Sequence, residues 1–494
     1  MFLTELLERQ KDNEKVAIKY GSNEISFKEW YSYSRLLSCQ LNEVTTNISS
    51  NIAIFLPNSI NYTLAYFSIL FSNKIIIPIG TQSKGLEIAS ILEYCEVDVI
   101  ITSLQYNDLL RKYLSFYKYK VNLLFIEDLT IEIIHSEKEY ILKSNTINNA
   151  RNENDVAIML HTSGTTSKPK RVMLTHNNLI NNVESNIQSL KLTENDKVLI
   201  VMPMYFGYCN TAQFLTHLYL GASVVILDKI FTPSNFFKIV QREKITNFTA
   251  VPTMLLLLLE YKGFENYDYS SLKYICFGGG PMPTNKLKEL ILKYKSIGFI
   301  QTYGQTEASP RVTALMPIDS LNKIGSVGKS IPNVKVKIVN EQEIEVEENE
   351  VGEIIVNGKN IMKGYFKNEK ITSETIKNNW LYTGDLGYKD KDGYLYITGR
   401  MKNIIISGGL NIYPEEIEEI LLNHLDIKEV YVTGESHNLL GEVPVAKIVT
   451  SNSAVDVKNI RYHCINYLST YKIPIRFDIV KEIDKTYNGK IKRY

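Results

Sequence analysis

The chain has 494 residues, more than one hydrophobic core supports, so we expect two or more domains. Apolar residues make up 44% and charged residues 22%, and 55 basic against 54 acidic side chains give a net charge of +1, which argues against nucleic acid and membrane surfaces as partners. The beginning of the chain lacks a signal-peptide pattern, no apolar stretch is long enough to span a membrane, and the five cysteines show no C-x-x-C spacing, so we expect a cytoplasmic protein with reduced thiols.

Strand and helix patterns alternate through most of the first part of the chain. A helical pattern covers residues 59–71, and short apolar runs typical of buried strands occupy 51–56, 75–79, 156–160, 197–201, 224–227, 248–251 and 274–277. Buried strands separated by helices favour a layered α/β architecture with parallel strands.

The periodicity changes near residue 325. Residues 334–338 alternate between apolar residues and lysines, and 352–358 and 393–398 have the pattern of short strands between turns. This favours a small antiparallel β-barrel at about 321–399. We interpret the acidic run 341–350 as a solvated turn between two of its strands.

A third pattern begins near residue 399. Helices at 414–422 and about 459–468, with strands at 404–406, 430–433, 445–449 and 477–480, indicate a compact α+β unit. The sequence therefore predicts an N-terminal domain over residues 1–399, which includes the barrel, and a small C-terminal domain over 400–494.

Residues 161–170, HTSGTTSKPK, follow directly on the predicted strand 156–160. A glycine permits a tight turn of converging backbone N–H groups, hydroxyls add donors and lysine adds positive charge, which suits a polyphosphate. The spacing is not that of a Walker A loop, and a Ser/Thr-rich surface turn is the alternative. The candidate phosphate-binding residues are Thr162, Ser163, Gly164, Thr165, Thr166, Ser167 and Lys170.

Two motifs follow later strands of the same part. Residues 278–281, GGGP, come after the predicted strand 274–277, where glycines would let a flat ligand approach the backbone, although a plain turn is the alternative. In residues 301–307, QTYGQTE, an aromatic ring beside a glycine can stack on a base, Thr306 offers a hydroxyl to a phosphate, and Glu307 offers a hard oxygen ligand to Mg²⁺.

Two further motifs lie in the last part of the chain. Asp385, in the turn YTGD, can accept both hydroxyls of a ribose, although aspartate is common in turns. Asn488-Gly489 makes a tight turn that presents Lys490, although a charged tail is usually solvated.

Together these motifs resemble, in order and spacing over essentially the whole chain, the adenylate-forming superfamily of acyl-CoA synthetases, nonribosomal peptide adenylation domains and beetle luciferases. The resemblance implies that a large N-terminal domain binds ATP and a carboxylic acid. It also implies that a mobile C-terminal domain serves two half-reactions: formation of an acyl-adenylate with release of pyrophosphate, and acyl transfer to a thiol.

The resemblance also implies roles for individual residues. The loop 162–170 would hold the pyrophosphate part of ATP, while Gly279, Gly280 and Tyr303 would sandwich the adenine. Asp385 would bind the ribose. Further nucleotide-site candidates are Pro281, Gln301, Thr302, Gly304 and Ile397.

The catalytic roles follow from the same resemblance. Thr306 would contact the α-phosphate, and Glu307 would ligate Mg²⁺. Arg400 would reach the ribose or phosphate, Lys402 would lie at the hinge, and Lys490 would be the mobile catalytic lysine. Losing one such electrostatic contact commonly costs about 3 kcal/mol in the barrier.

Three positions depart from the family pattern. Ser167 and Arg171 stand where the family usually has glycine, and Asn403 stands where many members have Asp. Because serine still donates a hydrogen bond and the charged ATP contacts are retained, we expect ATP binding and activity to persist.

The acid-binding residues indicated by the resemblance lie at 206–208 and at Gly278. Gly207 stands where amino-acid-activating domains carry an Asp, so an amino acid's ammonium would lack its partner and amino acids are disfavoured. Phe206 and Tyr208 can wall an apolar pocket for an aryl or medium acyl chain, or can be ordinary core aromatics.

The thiol acceptor would pass Gly408 and Gly409, which match the family's glycine-rich pantetheine tunnel. We prefer free CoA to the phosphopantetheine of a carrier protein, either of which would come in trans. The leading hypothesis is thus an ATP-dependent acid–thiol ligase. A luciferase-type oxygenase and a non-catalytic nucleotide-binding regulator are the rival classes.

Overall fold

Two mainly parallel sheets form the first part of the molecule, in a computed structural model that describes residues 1–44, 51–114, 121–127, 152–162, 170–451, 455–485 and 491–492. The strand order of the nine-stranded sheet is Lys329–Ser330, Arg311–Leu315, Gly298–Gly304, Tyr274–Phe277, Asn247–Ala250, Lys197–Ile200, Ser223–Ile226, Val16–Tyr20 and Asn23–Ser26. That of the seven-stranded sheet is Gly364–Tyr365, Lys170–Thr175, Val156–Thr162, Ile75–Pro78, Asn51–Phe55, Val97–Thr102 and Asn122–Phe125.

Helices separate and flank the two sheets. The layer between the sheets includes Phe27–Val44, Ile60–Phe71, His176–Leu190 and a segment that starts at Gly207–Cys209 and continues as Asn210–Leu215, in π-helical form, and Thr216–Tyr219. The outer face of the nine-stranded sheet is covered by Pro233–Glu243, Pro252–Glu260 and Thr284–Lys293. Gly85–Tyr94 and Asn107–Leu114 cover the other sheet, which gives the predicted layered α/β architecture.

The short helix Thr4–Glu8 precedes these layers, and its Leu6 and Leu7 join the central core. All five cysteines are free thiols, and four of them are buried. In the part of the chain that the structure describes, no helix combines the length and apolar character needed to cross a bilayer.

Sheet register explains why two of the motifs meet. Strands Tyr274–Phe277 and Gly298–Gly304 are parallel neighbours, with Phe277 opposite Gln301. Residues 278–281 and 302–307 therefore emerge at the same edge, the carboxyl end of the strands, where α/β sheets commonly bind ligands.

The third sheet is antiparallel, as the changed periodicity predicts. Its strands are Lys335–Val339, Gly352–Asn357, Ile376–Lys377, Trp380–Lys389 and Leu395–Arg400, with the helix Glu369–Thr375 before its third strand. The acidic run 341–350 connects the first two strands and is mostly exposed, as expected for a solvated turn.

The C-terminal part forms its own sheet and core. Its strands are Ile405–Ser407, Leu410–Ile412, Ile427–His437, Gly441–Thr450 and Arg476–Ile479, and its helices are Pro414–Leu422 and Val457–Tyr467. Its buried apolar side chains form a cluster of their own. It meets the preceding sheet near Gly399, where a Cβ atom would lie 2.6 Å from Glu415 Oε2.

Candidate functional site

A cavity of about 1020 Å³ opens at the carboxyl edge of the nine-stranded sheet. It is bounded by the third sheet on one side and by residues 400–402 on the other. The predicted site residues that line it are Lys170, Phe206, Gly207, Tyr208, Gly279, Thr302, Tyr303, Gly304, Thr306, Glu307, Arg400 and Lys402.

A carboxylate and a lysine face this cavity together. Glu307 lies in the short 3-10 helix Thr306–Ala308, and the Tyr365 hydroxyl donates to Glu307 Oε1 over 2.8 Å. The ammonium of Lys170 lies 5.0 Å from the centroid of the Tyr365 ring. Burial raises the pKa of Glu307, while the charges of Arg400 and Lys170 act in the opposite direction. A bound cation would therefore stabilise the ionised form of Glu307, which has lost hydration on burial.

A buried aspartate connects the two walls of the cavity. Asp385 is 4% exposed, accepts a hydrogen bond from the Tyr303 hydroxyl over 2.8 Å, and forms an ion pair with Arg400 Nε at 2.8 Å. Asp385 lies directly behind the surface that Tyr303 and Arg400 present. Each of its oxygens keeps acceptor capacity, since a carboxylate oxygen accepts more than one hydrogen bond.

Hydrogen bonds to a neighbouring strand fix the turn before Asp385. Gly384 adopts φ +69°, and its N–H donates to Glu353 Oε1 over 2.9 Å. Thr383 donates to the carbonyl of Ile354 over 2.6 Å. Burial raises the pKa of Glu353.

The opposite end of the cavity is walled mainly by apolar and aromatic side chains. Met202, Phe206, Val251 and Met254 line it together with Tyr208. The Tyr208 hydroxyl lies 2.6 Å from Thr302 Oγ1, and that oxygen donates its single proton to the carbonyl of Phe277, so Tyr208 is the donor to Thr302. This bond fixes the ring of Tyr208 as part of the wall.

Close backbone packing or a turn explains why three positions at the cavity are glycine. A Cβ on Gly278 would lie 2.5 Å from the Thr302 carbonyl, and a Cβ on Gly304 would lie 1.8 Å from the Pro310 carbonyl. Gly279 has φ +83° with open space beside it, on the cavity wall. Gly278 and Gly304 thus serve backbone packing, and Gly279 leaves room for a ligand.

Other predicted residues lie beside the cavity and do not line it. They are Gly278, Gly280, Pro281, Gln301, Asp385 and Ile397. Gly280 and Pro281 are exposed. Gly280, predicted to pack against the adenine, therefore does not line the cavity in this structure. Its role stays a prediction.

The phosphate loop and the catalytic tail lie outside the described residues. These are Ser163, Gly164, Thr165, Thr166, Ser167 and Lys490, together with the side chain of Thr162. The described ends of the loop, His161 and Lys170, both line the cavity. Burial, aided by the charge of Arg171, lowers the pKa of His161 to about 4, so its ring is neutral at physiological pH.

The predicted thiol-tunnel glycines lie in the C-terminal part. Gly408 and Gly409 have φ +57° and +82° and make the tight turn between Ile405–Ser407 and Leu410–Ile412. Both are exposed and neither lines the cavity. At the junction, Asn403 Nδ2 donates to Glu415 Oε1 over 2.9 Å.

The polar residues of this cavity that the motifs missed include Glu353, Tyr365 and Arg311. Arg311 had a visible signal, because it is a charged residue at the head of the strand Arg311–Leu315, whose other members are apolar or threonine and all buried. Tyr365 and Glu353 reach the site through tertiary packing of distant strands, which no local pattern reveals.

Family comparisons agree with this geometry. The model of a family described as AMP-binding enzyme matches residues 7–366, and the model of the AMP-binding enzyme C-terminal domain matches residues 416–490. A long-chain-fatty-acid–CoA ligase of Bacillus subtilis is 32% identical over 97% of this chain and 91% of its own length. A 2-succinylbenzoate–CoA ligase of Oceanobacillus iheyensis is 30% identical over 100% of this chain and 98% of its own.

Solved structures are similar over the same extent. An o-succinylbenzoate CoA synthetase of Bacillus subtilis, in complex with its acyl-adenylate intermediate, has a TM-score of 0.88 and 29% identity, over 99% of this chain and 97% of its own. The same enzyme with ATP and magnesium ion has a TM-score of 0.87 and 29% identity, over 98% and 97%.

Proposed function

The chain belongs to the family of AMP-binding enzymes, and we propose that its cavity joins an acid with an aromatic or extended acyl body to CoA. The enzyme is an AMP-forming acid–thiol ligase, as the sequence predicts. The carboxylate attacks the α-phosphorus of ATP and pyrophosphate leaves; the thiol then attacks the acyl carbon of the adenylate, and AMP leaves.

One observation carries the proposal: a single cavity has a charged end and an apolar end. Glu307, Lys170 and Arg400 lie at the first, and Met202, Val251 and Met254 at the second. An acyl-adenylate has the same division between a polar nucleotide and an acyl body. The polar end therefore suits ATP and the apolar end suits the acid.

At the nucleotide end, we assign base stacking to Tyr303 and ribose binding to Asp385. The hydrogen bond between the two side chains holds the ring in place. The ion pair with Arg400 holds one carboxylate oxygen of Asp385 in place, and the carboxylate keeps capacity to accept hydrogen bonds from hydroxyl groups. Arg400 is half exposed, so its remaining donors can turn toward the nucleotide.

Glu307 fits a magnesium ligand. In the part of the chain that the structure describes, no group of three metal-ligating side chains exists, and Mg²⁺ in nucleotide sites needs only one or two carboxylates beside phosphate oxygens. Tyr365 holds one oxygen of Glu307 and so orients the other. When bound, Mg²⁺ neutralises charge on the phosphates.

The chemistry requires positioned cations, because a carboxylate must approach a triphosphate of like charge. Lys170 and Arg400 are the described cations on the cavity wall that act on Glu307. We assign Lys490 as a further, mobile cation and Lys402 as the hinge, at the junction of residues 1–399 with 400–494. The separate apolar core of the C-terminal part supports movement as a unit.

At the acid end, Gly207 offers no carboxylate to the ammonium group of an amino acid, and the space around it does not favour a larger residue. A Cβ on Gly207 would lie 3.1 Å from Leu160 Cδ1, so a larger residue there would need to displace Leu160. Phe206 and Tyr208 line the cavity, which favours their role as substrate walls. An acid with an aromatic ring or a flexible chain suits these contacts.

A panel of acids tests the proposal. Aryl, medium-chain and long-chain acids are each incubated with ATP and Mg²⁺, and pyrophosphate release is measured, with amino acids as the negative set. Acids that respond are then offered CoA or a phosphopantetheinylated carrier protein, and the product is weighed. We expect a CoA thioester; a thioester with the carrier protein alone would reassign the acceptor, and amino-acid-dependent release would refute the assignment of the acid end.

A further inference from the structure

Arg311 is a buried cation on the wall of the cavity. It is 2% exposed and lies at the start of the strand Arg311–Leu315. Its backbone is fixed on both sides by Asn182, whose amide donates to the Arg311 carbonyl over 2.8 Å and whose oxygen accepts from the Arg311 N–H over 3.4 Å. Its guanidinium carbon lies 5.9 Å from the centroid of the Tyr208 ring.

The guanidinium has no anionic partner in the described part of the chain. Its polar partners are neutral groups, the Tyr208 hydroxyl and the Cys276 thiol, and Arg311 forms no ion pair among those residues. Its charge also acts on the hydroxyl of Tyr274 and on the ring of His217. Burial raises the pKa of Tyr208 to about 12 and also raises the pKa of Cys276, so both stay neutral at physiological pH.

An arginine in this position stays charged, because the guanidinium does not lose its proton in proteins. A buried charge without a partner is strongly destabilising, so one that persists needs a counter-ion from elsewhere. Arg311 lines the cavity, so a small molecule bound there could supply one.

The position of Arg311 separates it from the phosphate end. The cations that act on Glu307 are Arg400 and Lys170. The charge of Arg311 acts instead on Tyr208, which lines the end of the cavity that we assign to the acid, and on Tyr274 and Cys276 beneath the cavity wall. We therefore expect the counter-ion of Arg311 to bind at the acid end of the cavity and not at the triphosphate.

We propose that Arg311 binds a second carboxylate at the far end of the acid substrate, so that the enzyme prefers dicarboxylic acids, an inference that rests on the proposed function. The planar guanidinium can engage a carboxylate with two parallel hydrogen bonds. The ring of Tyr208, held by Thr302, covers the guanidinium from one side. The first carboxylate stays at the nucleotide end and is activated there.

Matched substrate pairs test this on the wild-type protein. Straight-chain dicarboxylic acids of graded length, and benzoic acids with a carboxyl-terminated side chain, are each compared with the analogue whose distal carboxylate is a carboxamide. The readout is kcat/KM for acid-dependent pyrophosphate release. We expect at least one pair to prefer the diacid about tenfold or more, since hydrogen bonds between charged groups discriminate at least that strongly.

Variants then assign the preference to Arg311. In Arg311→Met the ratio of diacid to amide should fall to about one, and Arg311→Lys, which keeps the charge and loses the fork, should give an intermediate ratio. Arg476→Met removes an exposed arginine of the C-terminal part and should keep the wild-type ratio. Circular dichroism checks folding, and if Arg311→Met does not fold, the wild-type pairs and Arg311→Lys still decide.

The outcomes separate the inference from the function on which it rests. If monoacids release pyrophosphate well and every wild-type pair gives equal rates, the role of Arg311 is overturned and the ligase assignment stands. The same holds if Arg311→Met keeps the wild-type preference. If no acid of either kind supports release, the proposed function fails and the inference fails with it.

Discussion

The cavity wall and the C-terminal part differ in how many of their predicted site residues contact one another in the structure. At the cavity, side chains from both large sheets and the third sheet meet in paired contacts, such as Tyr303 with Asp385 and Tyr365 with Glu307. The C-terminal part reaches the cavity only through residues 400–402 among its described residues. Its glycine turn, Gly408 and Gly409, lies elsewhere on the surface.

This difference favours the proposal that binding and chemistry are divided between the two regions. The large region holds reactants in a fixed arrangement, which requires preformed contacts. The two successive reactions, first at the α-phosphorus and then at the acyl carbon, need different neighbours, and a separate unit with its own core can exchange them.

The largest effect is expected for Lys490→Ala. Removal of the mobile cation should lower adenylate formation about a thousandfold, because the charge on the α-phosphate loses its partner. ATP affinity should be unchanged. Thioester formation from pre-made acyl-adenylate should proceed at the wild-type rate.

Lys492→Ala, two residues along the same tail, is the matched control and should behave as wild type. Rapid-quench measurement of the two half-reactions checks the prediction. Equal loss of both half-reactions would argue against a divided mechanism.

Glu307→Gln should reduce acid-dependent pyrophosphate release about a hundredfold and raise the Mg²⁺ concentration needed for half-maximal rate, because an amide is a weaker ligand than a carboxylate. Magnesium titrations of both forms provide the measurement. Glu289→Gln, which changes an exposed carboxylate paired with Lys286, is the control. An unchanged magnesium dependence in the Glu307 variant would exclude its role as metal ligand.

Asp385→Asn should raise KM for ATP about tenfold with a smaller change in kcat, because the charged acceptor for the ribose and for Arg400 is lost. Initial rates over a range of ATP concentrations test this. Asp392→Asn, on an exposed turn beside Lys323, should leave KM unaltered. A fall in kcat at constant KM would move Asp385 from binding to chemistry.

Mild acid should destabilise the large region more than the small one. Burial lowers the pKa of His217 to about 4. Its Nδ1–H donates to the Gln213 carbonyl at 2.7 Å, and its Nε2 accepts from the Asn247 amide at 3.0 Å. Both hydrogen bonds suit the neutral ring. His217 binds a proton more readily in the unfolded chain. The contribution of its neutral ring to the free energy of unfolding is therefore fully present above a pH of about 6.5 and is lost as the pH falls toward 4. About 1 kcal/mol should be lost by a pH of about 5.5.

Urea unfolding of the large region at several pH values measures this slope. His217→Gln should reduce the slope by about half, because the buried ring of His161, whose pKa is also about 4, contributes a similar share. His437→Gln, in a partly exposed position of the C-terminal part, should leave the slope unchanged. An undiminished slope in His217→Gln would place the titrating group elsewhere.

Much of the fold was predictable because its elements have strong periodic signals. Helix Pro414–Leu422 and strand Tyr274–Phe277 have the predicted bounds, and most of the other predicted strands differ by one or two residues. The alternation of Val336 and Ile338 with lysines correctly indicated an antiparallel sheet. The family, the α/β class and the acid–thiol ligase function are confirmed by the comparisons.

The site was less predictable, because motifs show which residues are grouped and not which way they face. Gly304 and Gly278 belong to the motifs, yet neighbouring carbonyls explain why they are glycine. Arg311 and Tyr365 lie outside the motifs' chemical core and reach the cavity through packing of distant segments. Sequence periodicity carries no information on such contacts.

The most direct test of the central claim follows one oxygen atom. An active acid is labelled with a heavy oxygen isotope in its carboxylate and incubated with ATP and CoA, and the mass of the nucleotide product is measured. An acyl-adenylate route predicts AMP that carries one labelled oxygen, because the thiol breaks the acyl carbon–oxygen bond. Unlabelled AMP, or ADP with labelled phosphate, would contradict the account.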